Sequence, residues 1–253
     1  MKHYRTIWLS DLHLGTAPAK VEELHIFLKN TSSDILYLNG DIIDILAMKR
    51  KMYWPASHNL IIQKLLKMSR KGTKIKYSIG NHDYYIRTLL DEHNALLIGD
   101  IEIKNEFIHF TEKNKKILVV HGDGFDGAIR MFPLLYWLGD KGYDFTVFIN
   151  SIYNWFRKRF GLEYWSLAGY VKSKVKGALA FVNNFEQLIV NDAKKRNIDG
   201  IFCGHLHTAA LKNIEGIIYG NDGDGVDSLT ALVEEMDGSL KLIRWNGEVL
   251  AEI

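Results

Sequence analysis

The chain is poor in cysteine and proline: one cysteine, Cys203, and three prolines among 253 residues. A lone cysteine cannot close an internal disulfide, which excludes a disulfide-stapled scaffold and favours a reducing compartment. The prolines, Pro18, Pro55 and Pro133, all lie outside the segments that read as strands. An excess of charge of one sign is also lacking. Lys and Arg number 32 against 30 Asp and Glu, a formal net charge of +2, so no nucleic-acid partner is expected. No window supplies the ~18 uninterrupted apolar residues of a spanning helix, and Met1 to Ser10 has no long apolar run of the export-signal kind. The expectation is a cytoplasmic globular protein. Its 47% apolar residues can bury a sizeable core, and its length suits one large domain or a domain with an insertion.

What is present is unevenly spread. Of 30 aromatic residues, 16 lie between Phe125 and Phe185, about a quarter of the chain. The same stretch carries eight Lys/Arg against four acids, so it is locally basic while the remainder is slightly acidic. This divides the chain into a body, 1–124 with 186–253, and an aromatic, basic helical cap, 125–185. A packed helical cap would account for the aromatics by itself. Trp and Tyr beside Lys and Arg also suit a water–lipid interface, and Met131-Phe-Pro-Leu-Leu-Tyr-Trp-Leu is more apolar than a solvated cap requires.

The first 124 residues alternate in type. Thr6 to Ser10, Ile35 to Leu38 and Ile75 to Ile79 read as buried strands; Val21 to Leu28 and Leu60 to Met68 carry apolar residues at helical spacing. That alternation predicts parallel βαβ units. Asp100 to Val120 reads as antiparallel hairpins. Phe185 to Arg196 reads as a helix, Ile201 to Cys203 as a strand, and Ile214 to Leu242 as short strands with a hairpin turn at Asp237-Gly238.

Each predicted strand end carries polar residues of one kind: Asp11-Leu-His13, Gly40-Asp41-Ile-Ile-Asp44, Gly80-Asn81-His82-Asp83, His121-Gly-Asp123 and Gly204-His205-Leu-His207. Ligands of open α/β sheets bind beyond the carboxyl ends of strands, so five such ends can converge. Carboxylates, imidazoles and one amide oxygen suit Mn²⁺, Zn²⁺ or Fe²⁺ rather than a thiolate cluster. More ligands are offered than one ion needs, which predicts two metals, the arrangement that clamps both oxygens of an in-line displacement at phosphorus.

These five ordered blocks, Asp11 to His207, resemble the calcineurin-like metallophosphoesterases. The resemblance implies a four-layer α/β/β/α sandwich of two mixed sheets. It implies that Asp11, His13, Asp41 and His207 bind one metal, that Asp41 bridges, and that Asn81, His121 and His205 complete the second. His82 would contact the phosphate or protonate the leaving oxygen. Within the superfamily the chain is similar to the UDP-2,3-diacylglucosamine pyrophosphatases of lipid A synthesis, through the insertion after His121-Gly-Asp123 and the tail Asn221-Asp-Gly-Asp224-Gly-Val-Asp227. It departs from them at His82, where arginine is usual, and at Gly225, where tryptophan is usual. The implied activity is hydrolysis of a lipid-linked nucleotide sugar at the inner membrane surface, by a cytoplasmic, peripherally associated enzyme with two ions, Mn²⁺ first. The alternatives are a metallophosphoesterase acting on a soluble nucleotide or another nucleotide-linked lipid, and, more remotely, a non-catalytic binding scaffold of the same fold.

Other residues keep two readings. Asp44 and Asp83 either orient a metal-bound histidine or cap a following helix. Asn81 and Asp123 are candidate substrate contacts, Asp123 equally a loop hydrogen-bonder. Arg157, Arg159, Lys172, Lys174 and Lys176 are candidates for phosphate or uridine contact. His3, His25, His58, His93 and His109 read as surface or packing residues, and Cys203 as a small buried hydrophobe.

Overall fold

The computed structural model describes residues 1–90, 95–128, 159 and 176–253. The chain divides into two compact units, Met1–Gly124 with Ile189–Ile253, and Phe125–Leu188. The first unit contains two mixed sheets.

In chain order the first half comprises β1 (Lys2–Leu9), α1 (Val21–Asn30), β2 (Thr31–Asn39), α2 (Ile45–Arg50), α3 (Ala56–Arg70), β3 (Lys74–Ser78), α4 (Arg87–Leu90), β4 (Leu96–Ile98), β5 (Ile101–Lys104), β6 (Glu106–Phe110) and β7 (Lys116–Val120). The second half adds α5 (Lys176–Arg196), β8 (Gly200–Cys203), β9 (Ala210–Ile214), β10 (Ile217–Asn221), β11 (Thr230–Glu234), β12 (Leu240–Arg244) and β13 (Val249–Glu252). The larger sheet has the order β13-β12-β11-β1-β2-β3-β5-β4, the smaller β6-β7-β8-β10-β9. Strands β1, β2, β3 and β5 run parallel, as do β7, β8 and β10, so their carboxyl ends share one edge in each sheet.

The helices form because their apolar residues share a face. Val21, Leu24, Phe27 and Leu28 of α1, and Ile61, Leu65 and Met68 of α3, are all buried. They join one core with Ile7, Leu9, Leu36, Leu38 and Ile75 of the larger sheet. The alternate residues Trp8 and Tyr37 point to the opposite face and meet Phe107, Ile117, Val119 and Phe202 of the smaller sheet. Trp8 stacks on Tyr37 with centroids 5.7 Å apart and meets Phe202 edge-on at 4.8 Å. On the outer side of the smaller sheet Leu118, Ile201 and Tyr219 are buried too, as are Ile189, Val190 and Ala193 of α5. The fold is therefore the α/β type with two mixed sheets that the motifs implied.

Three differences from the sequence expectation have physical causes. The Asp100–Val120 stretch is only partly hairpin: β6 and β7 pair antiparallel, as does β5 with β4 before it, but β5 also pairs parallel with β3 and lies in the other sheet from β6. Alternation describes a strand's two faces and is silent about its partner. Strand β2 begins at Thr31, four residues earlier than expected, because polar Thr31 to Ser33 pair with β1 all the same. The short α2 was not anticipated; it buries none of its residues fully, so it carries no clean periodicity.

Candidate metal centre

The ligand motifs sit where the chain leaves parallel strands, and the backbone there is forced. Asp11, His13, Asp41, His205 and His207 all adopt positive φ, between 47° and 67°. Such conformations cost about 1–3 kcal/mol each and persist where surrounding structure over-determines them. Here hydrogen bonds between loops do so: Asp11 N donates to Gly40 O at 3.0 Å, His13 N to Asp41 O at 3.0 Å, and Gly204 N to His121 O at 3.0 Å. His82 N donates to Asp41 Oδ1 at 2.8 Å and His205 N to Asp11 Oδ2 at 2.9 Å. Glycine is required at two places. Gly40 has φ +87° and a Cβ there would enter the His121 ring; a Cβ on Gly80 would overlap the Asp41 carboxylate.

The donor atoms gather around two foci. Asp11, His13 and His207 each offer a ligand atom within 4.8 Å of the others, and so do Asp11, Asp41 and His121. His207 Nε2 lies 3.0 Å from Asp11 Oδ1, and His121 Nε2 lies 3.3 Å from Asp41 Oδ2 and 3.1 Å from Asn81 Oδ1. The His205 ring faces His121 at 5.2 Å between centroids. The ring nitrogens are sorted by their second partners: His121 Nδ1 donates to Asn39 O at 2.9 Å and His13 Nδ1 to Asp44 Oδ2 at 3.0 Å. Each imidazole therefore turns Nε2 inward, the usual arrangement of a metal-ligating histidine. Asp11 Oδ1 is buried and accepts no well-aligned hydrogen bond, its charged neighbour being His207 Nε2 at 3.0 Å. A buried anionic oxygen facing inward-turned imidazoles fits a divalent cation, and the mixed O/N set suits Mn²⁺, Zn²⁺ or Fe²⁺ without choosing among them.

The electrostatics point the same way. Burial alone would push the Asp11 carboxyl up, but His121, His207 and His13 hold it well below the usual carboxylate range. Burial likewise opposes charge on His121, yet Asp41 and Asp11 raise its pKa well above the ordinary imidazole value. Protons on histidine here do what a cation would do: they neutralise packed carboxylates.

His82 and His13 share one acceptor, Asp44 Oδ2, at 3.0 Å each, while Asp44 Oδ1 accepts from Ala47 N at 2.7 Å and caps α2. Asp44 thus caps the following helix and also holds the His13 and His82 rings. Burial opposes a charge on His82, but Asp44 and Asp41 outweigh it and raise its pKa. Asp44→Ala is expected to weaken metal binding about 10–100-fold through His13 and to cost about 1 kcal/mol from the lost cap. Calorimetric metal titration and a thermal melt check the two parts; unchanged metal affinity would remove the shared-carboxylate account.

Asp83 does neither of the things its position suggested. Its carboxylate accepts from Ile42 N at 3.1 Å, from Gly80 N at 2.5 Å and from the Tyr77 hydroxyl, tying two ligand loops together, and it makes no side-chain cap. Burial, with the Asp41 charge, raises it to about 6. Asp123 is held by Arg87 through two hydrogen bonds of 2.8 and 3.0 Å, and Arg87 also donates to Ile79 O at 2.8 Å. Among the cap candidates, Arg157, Lys172 and Lys174 lie outside the described residues, as does His93; Lys176 opens α5 and Arg159 is exposed. Cys203 is fully buried, which pushes its thiol well up and makes it inert.

Sequence reasoning missed Ser10, Asn39, Arg87 and Asp222. The first two immediately precede a motif and Asp222 lies in the tail Asn221 to Asp227, just after β10, so position was their available signal. Arg87 carried none.

Two-sheet α/β architecture, with carboxylates, imidazoles and an amide converging from five loops, defines a metal-dependent phosphoester hydrolase scaffold. The profile of the calcineurin-like phosphoesterases matches residues 4–209, and the chain belongs to that family, whose members are metal-dependent phosphoester hydrolases. Comparison with curated proteins gives no significant match. Among solved structures the chain is similar to Yfce, a phosphoesterase from E. coli, at 16% identity, covering 98% of this chain and 97% of that one with a TM-score of 0.49. A predicted phosphoesterase from Streptococcus pneumoniae is 15% identical, with coverage of 99% and 97% and a TM-score of 0.43. Vps29 of Entamoeba histolytica in complex with Zn²⁺ is 11% identical, with coverage of 98% and 97% and a TM-score of 0.45. Among the described residues no helix is long and apolar enough to cross a membrane.

Proposed function

We propose that the chain hydrolyses the pyrophosphate bond of UDP-2,3-diacylglucosamine or a close relative, releasing UMP and an acylated sugar 1-phosphate, at the cytoplasmic face of the inner membrane. The observation that carries this reading is the aromatic, basic stretch from Phe125 to Phe185, placed directly after the ligand motif His121-Gly-Asp123. A greasy, cationic segment joined to a phosphate-cleaving centre suits a substrate with acyl chains at one end and a diphosphate at the other.

Asp11, His13, Asp41 and His207 would hold one ion, and Asp41, Asn81, His121 and His205 the other, with Mn²⁺ the first choice. Two bound ions supply polarisation of a phosphoryl oxygen and activation of water at neutral pH. The chain's own part is orientation and proton transfer. Asn39 and Asp44 aim the histidine rings. His82, a third exposed and hydrogen-bonded through Nδ1 to Asp44, would deliver a proton to the leaving phosphate oxygen.

Gly225 favours keeping a second reading, a soluble nucleotide or another nucleotide-linked lipid as substrate. A Cβ at Gly225 would sit 2.9 Å from a Leu12 methyl and 3.2 Å from the Trp245 ring, so any side chain there, the indole usual in the pyrophosphatase group included, requires Leu12 or Trp245 to shift. Both readings are tested by comparing UDP-diacylglucosamine with UDP-glucose, using purified protein and Mn²⁺. Burying about four methylenes is worth roughly 3 kcal/mol, so kcat/KM should favour the acylated substrate on the order of 100-fold. Equal turnover of the two would sink the lipid assignment while leaving the phosphoesterase chemistry intact.

A further inference from the structure

Against Asp11 lies a pair of side chains outside the five ligand blocks. Ser10 and Asp222 are both buried, at 2% and 1% exposure. Ser10 Oγ lies 2.5 Å from Asp11 Oδ2 and 2.5 Å from Asp222 Oδ1, with Gly223 O further off at 3.2 Å. One hydroxyl has one proton to give. Two ionised carboxylates against it would leave one oxygen facing lone pairs, so one of the two acids must be the donor. Asp11 is the poorer donor of the two: its Oδ2 already accepts from His205 N and its Oδ1 lies 3.0 Å from His207 Nε2, whereas Asp222 Oδ2 has no partner. A proton on Asp222 resolves the count, with Asp222 donating to Ser10 Oγ and Ser10 to Asp11 Oδ2. Asp222 Oδ2 is buried without a partner, a position a neutral carbonyl oxygen tolerates far better than half of a carboxylate does.

We propose that Ser10 and Asp222 are a positioning pair that fixes the rotamer of Asp11, engaging Oδ2 so that Oδ1 alone is presented to the cation. A neutral acid serves this purpose better than a charged one, because it orients Asp11 without placing a further negative charge beside Asp11 and Asp41. The pair is itself anchored. Asp222 N donates to Cys203 O at 3.0 Å, Thr230 Oγ1 to Asp222 O at 2.7 Å, and Asn221 Nδ2 to Gly204 O at 2.7 Å. A Cβ on Gly204 would overlap both Ser10 and the Asp11 carboxylate, so nothing larger fits beside the relay. The segment that follows β10 thereby gains a role in metal binding.

The inference rests on Asp11 being a metal ligand, and the experiment separates the two. Metal-free full-length protein is titrated calorimetrically with Mn²⁺ and with Zn²⁺ for the wild type, Asp11→Ala, Ser10→Ala, Asp222→Ala and Asp222→Asn, with folding checked by circular dichroism. The amide of Asp222→Asn still donates to Ser10 and has nearly the same shape. It should bind within about threefold of the wild type, whereas Asp222→Ala and Ser10→Ala should lose about 10–100-fold at one of two sites. Asp222→Asn falling as far as Asp222→Ala would show that a negative charge, not a donor, is needed, and would overturn the pair; so would unchanged affinity in both. Wild-type affinity in Asp11→Ala would instead overturn the metal role of Asp11. Should Asp222→Ala fail to fold, Ser10→Ala set against Asp222→Asn decides the same question.

Discussion

Asp41→Ala is expected to lower kcat/KM for a chromogenic phosphodiester by on the order of 10³-fold or more, a loss of about 4 kcal/mol of transition-state stabilisation. Asp41 takes part in two groups of ligand atoms, with His13 and His82 on one side and with Asp11 and His121 on the other. No neighbour can substitute for it, since its φ of 54° and the hydrogen bond from His82 N hold the carboxylate between the loops. The change also removes a buried partner of His121, which stands 3.3 Å from Asp41 and, against the effect of burial, lowers its pKa, so folding of the variant is checked by circular dichroism. The clearest readout is the response to metal. Mn²⁺ at 100 times its Kd should stabilise the wild type by about 2.7 kcal/mol and the variant by far less. A variant that retained two equivalents of metal and activity within tenfold would disprove the bridging assignment.

The second large effect lies at the seam between the sheets, away from the ligand loops. Glu234, at the end of β11 in the larger sheet, is fully buried. Its carboxylate accepts from Arg5 Nη1 at 2.7 Å, from His109 Nε2 at 3.0 Å and from Glu112 N at 2.7 Å. His109 and Glu112 belong to the smaller sheet and its turn, so one carboxylate joins both sheets. The His109 ring meets Trp8 and Tyr37 edge-on, so of its two readings, surface or packing, packing is the outcome. Truncating one partner of a buried pair leaves the others uncompensated, typically for 3–5 kcal/mol. Arg5 is 23% exposed and regains some water, so about 3 kcal/mol is expected for Glu234→Ala, a fall in melting temperature on the order of 10 °C. Metal affinity should be unchanged.

The sign of the pH dependence follows. Burial would raise the Glu234 pKa, but His109, the Glu112 amide and Arg5 lower it below the ordinary value of 4.5. A carboxyl depressed in the folded state contributes stability that is fully present above pH 4.5 and is lost as pH falls through its folded pKa. Glu234→Gln should flatten the stability curve below pH 4.5 relative to the wild type. A curve of identical slope in both proteins would show that Glu234 does not govern acid unfolding.

Much of the centre was legible because metal ligation is written in residue type and placement. His-, Asp- and Asn-bearing glycine turns at the ends of apolar runs have few other uses, and the βαβ rhythm before them predicted where they would meet. Legibility stopped where a residue's chemistry depends on a partner distant in the chain. Ser10 before a motif aspartate is unremarkable until Asp222, 212 positions later, closes on it. Asp44 and Asp83 occupy comparable places in their motifs, yet one reaches two imidazoles and the other reaches amides of two loops.

By itself, then, the sequence carried the motifs whose resemblance implied the family and its two-sheet α/β class, the candidate ligand residues and the lopsided placement of aromatic and basic residues, because motif and composition are local properties. Only the tertiary structure decided which nitrogen of each histidine turns inward, that β5 crosses to the other sheet from β6, that Glu234 joins the sheets, and that Asp222 meets Asp11 through Ser10. Those are matters of pairing between segments far apart in the chain, and hydrogen-bond geometry settles them only once the loops have closed on one another.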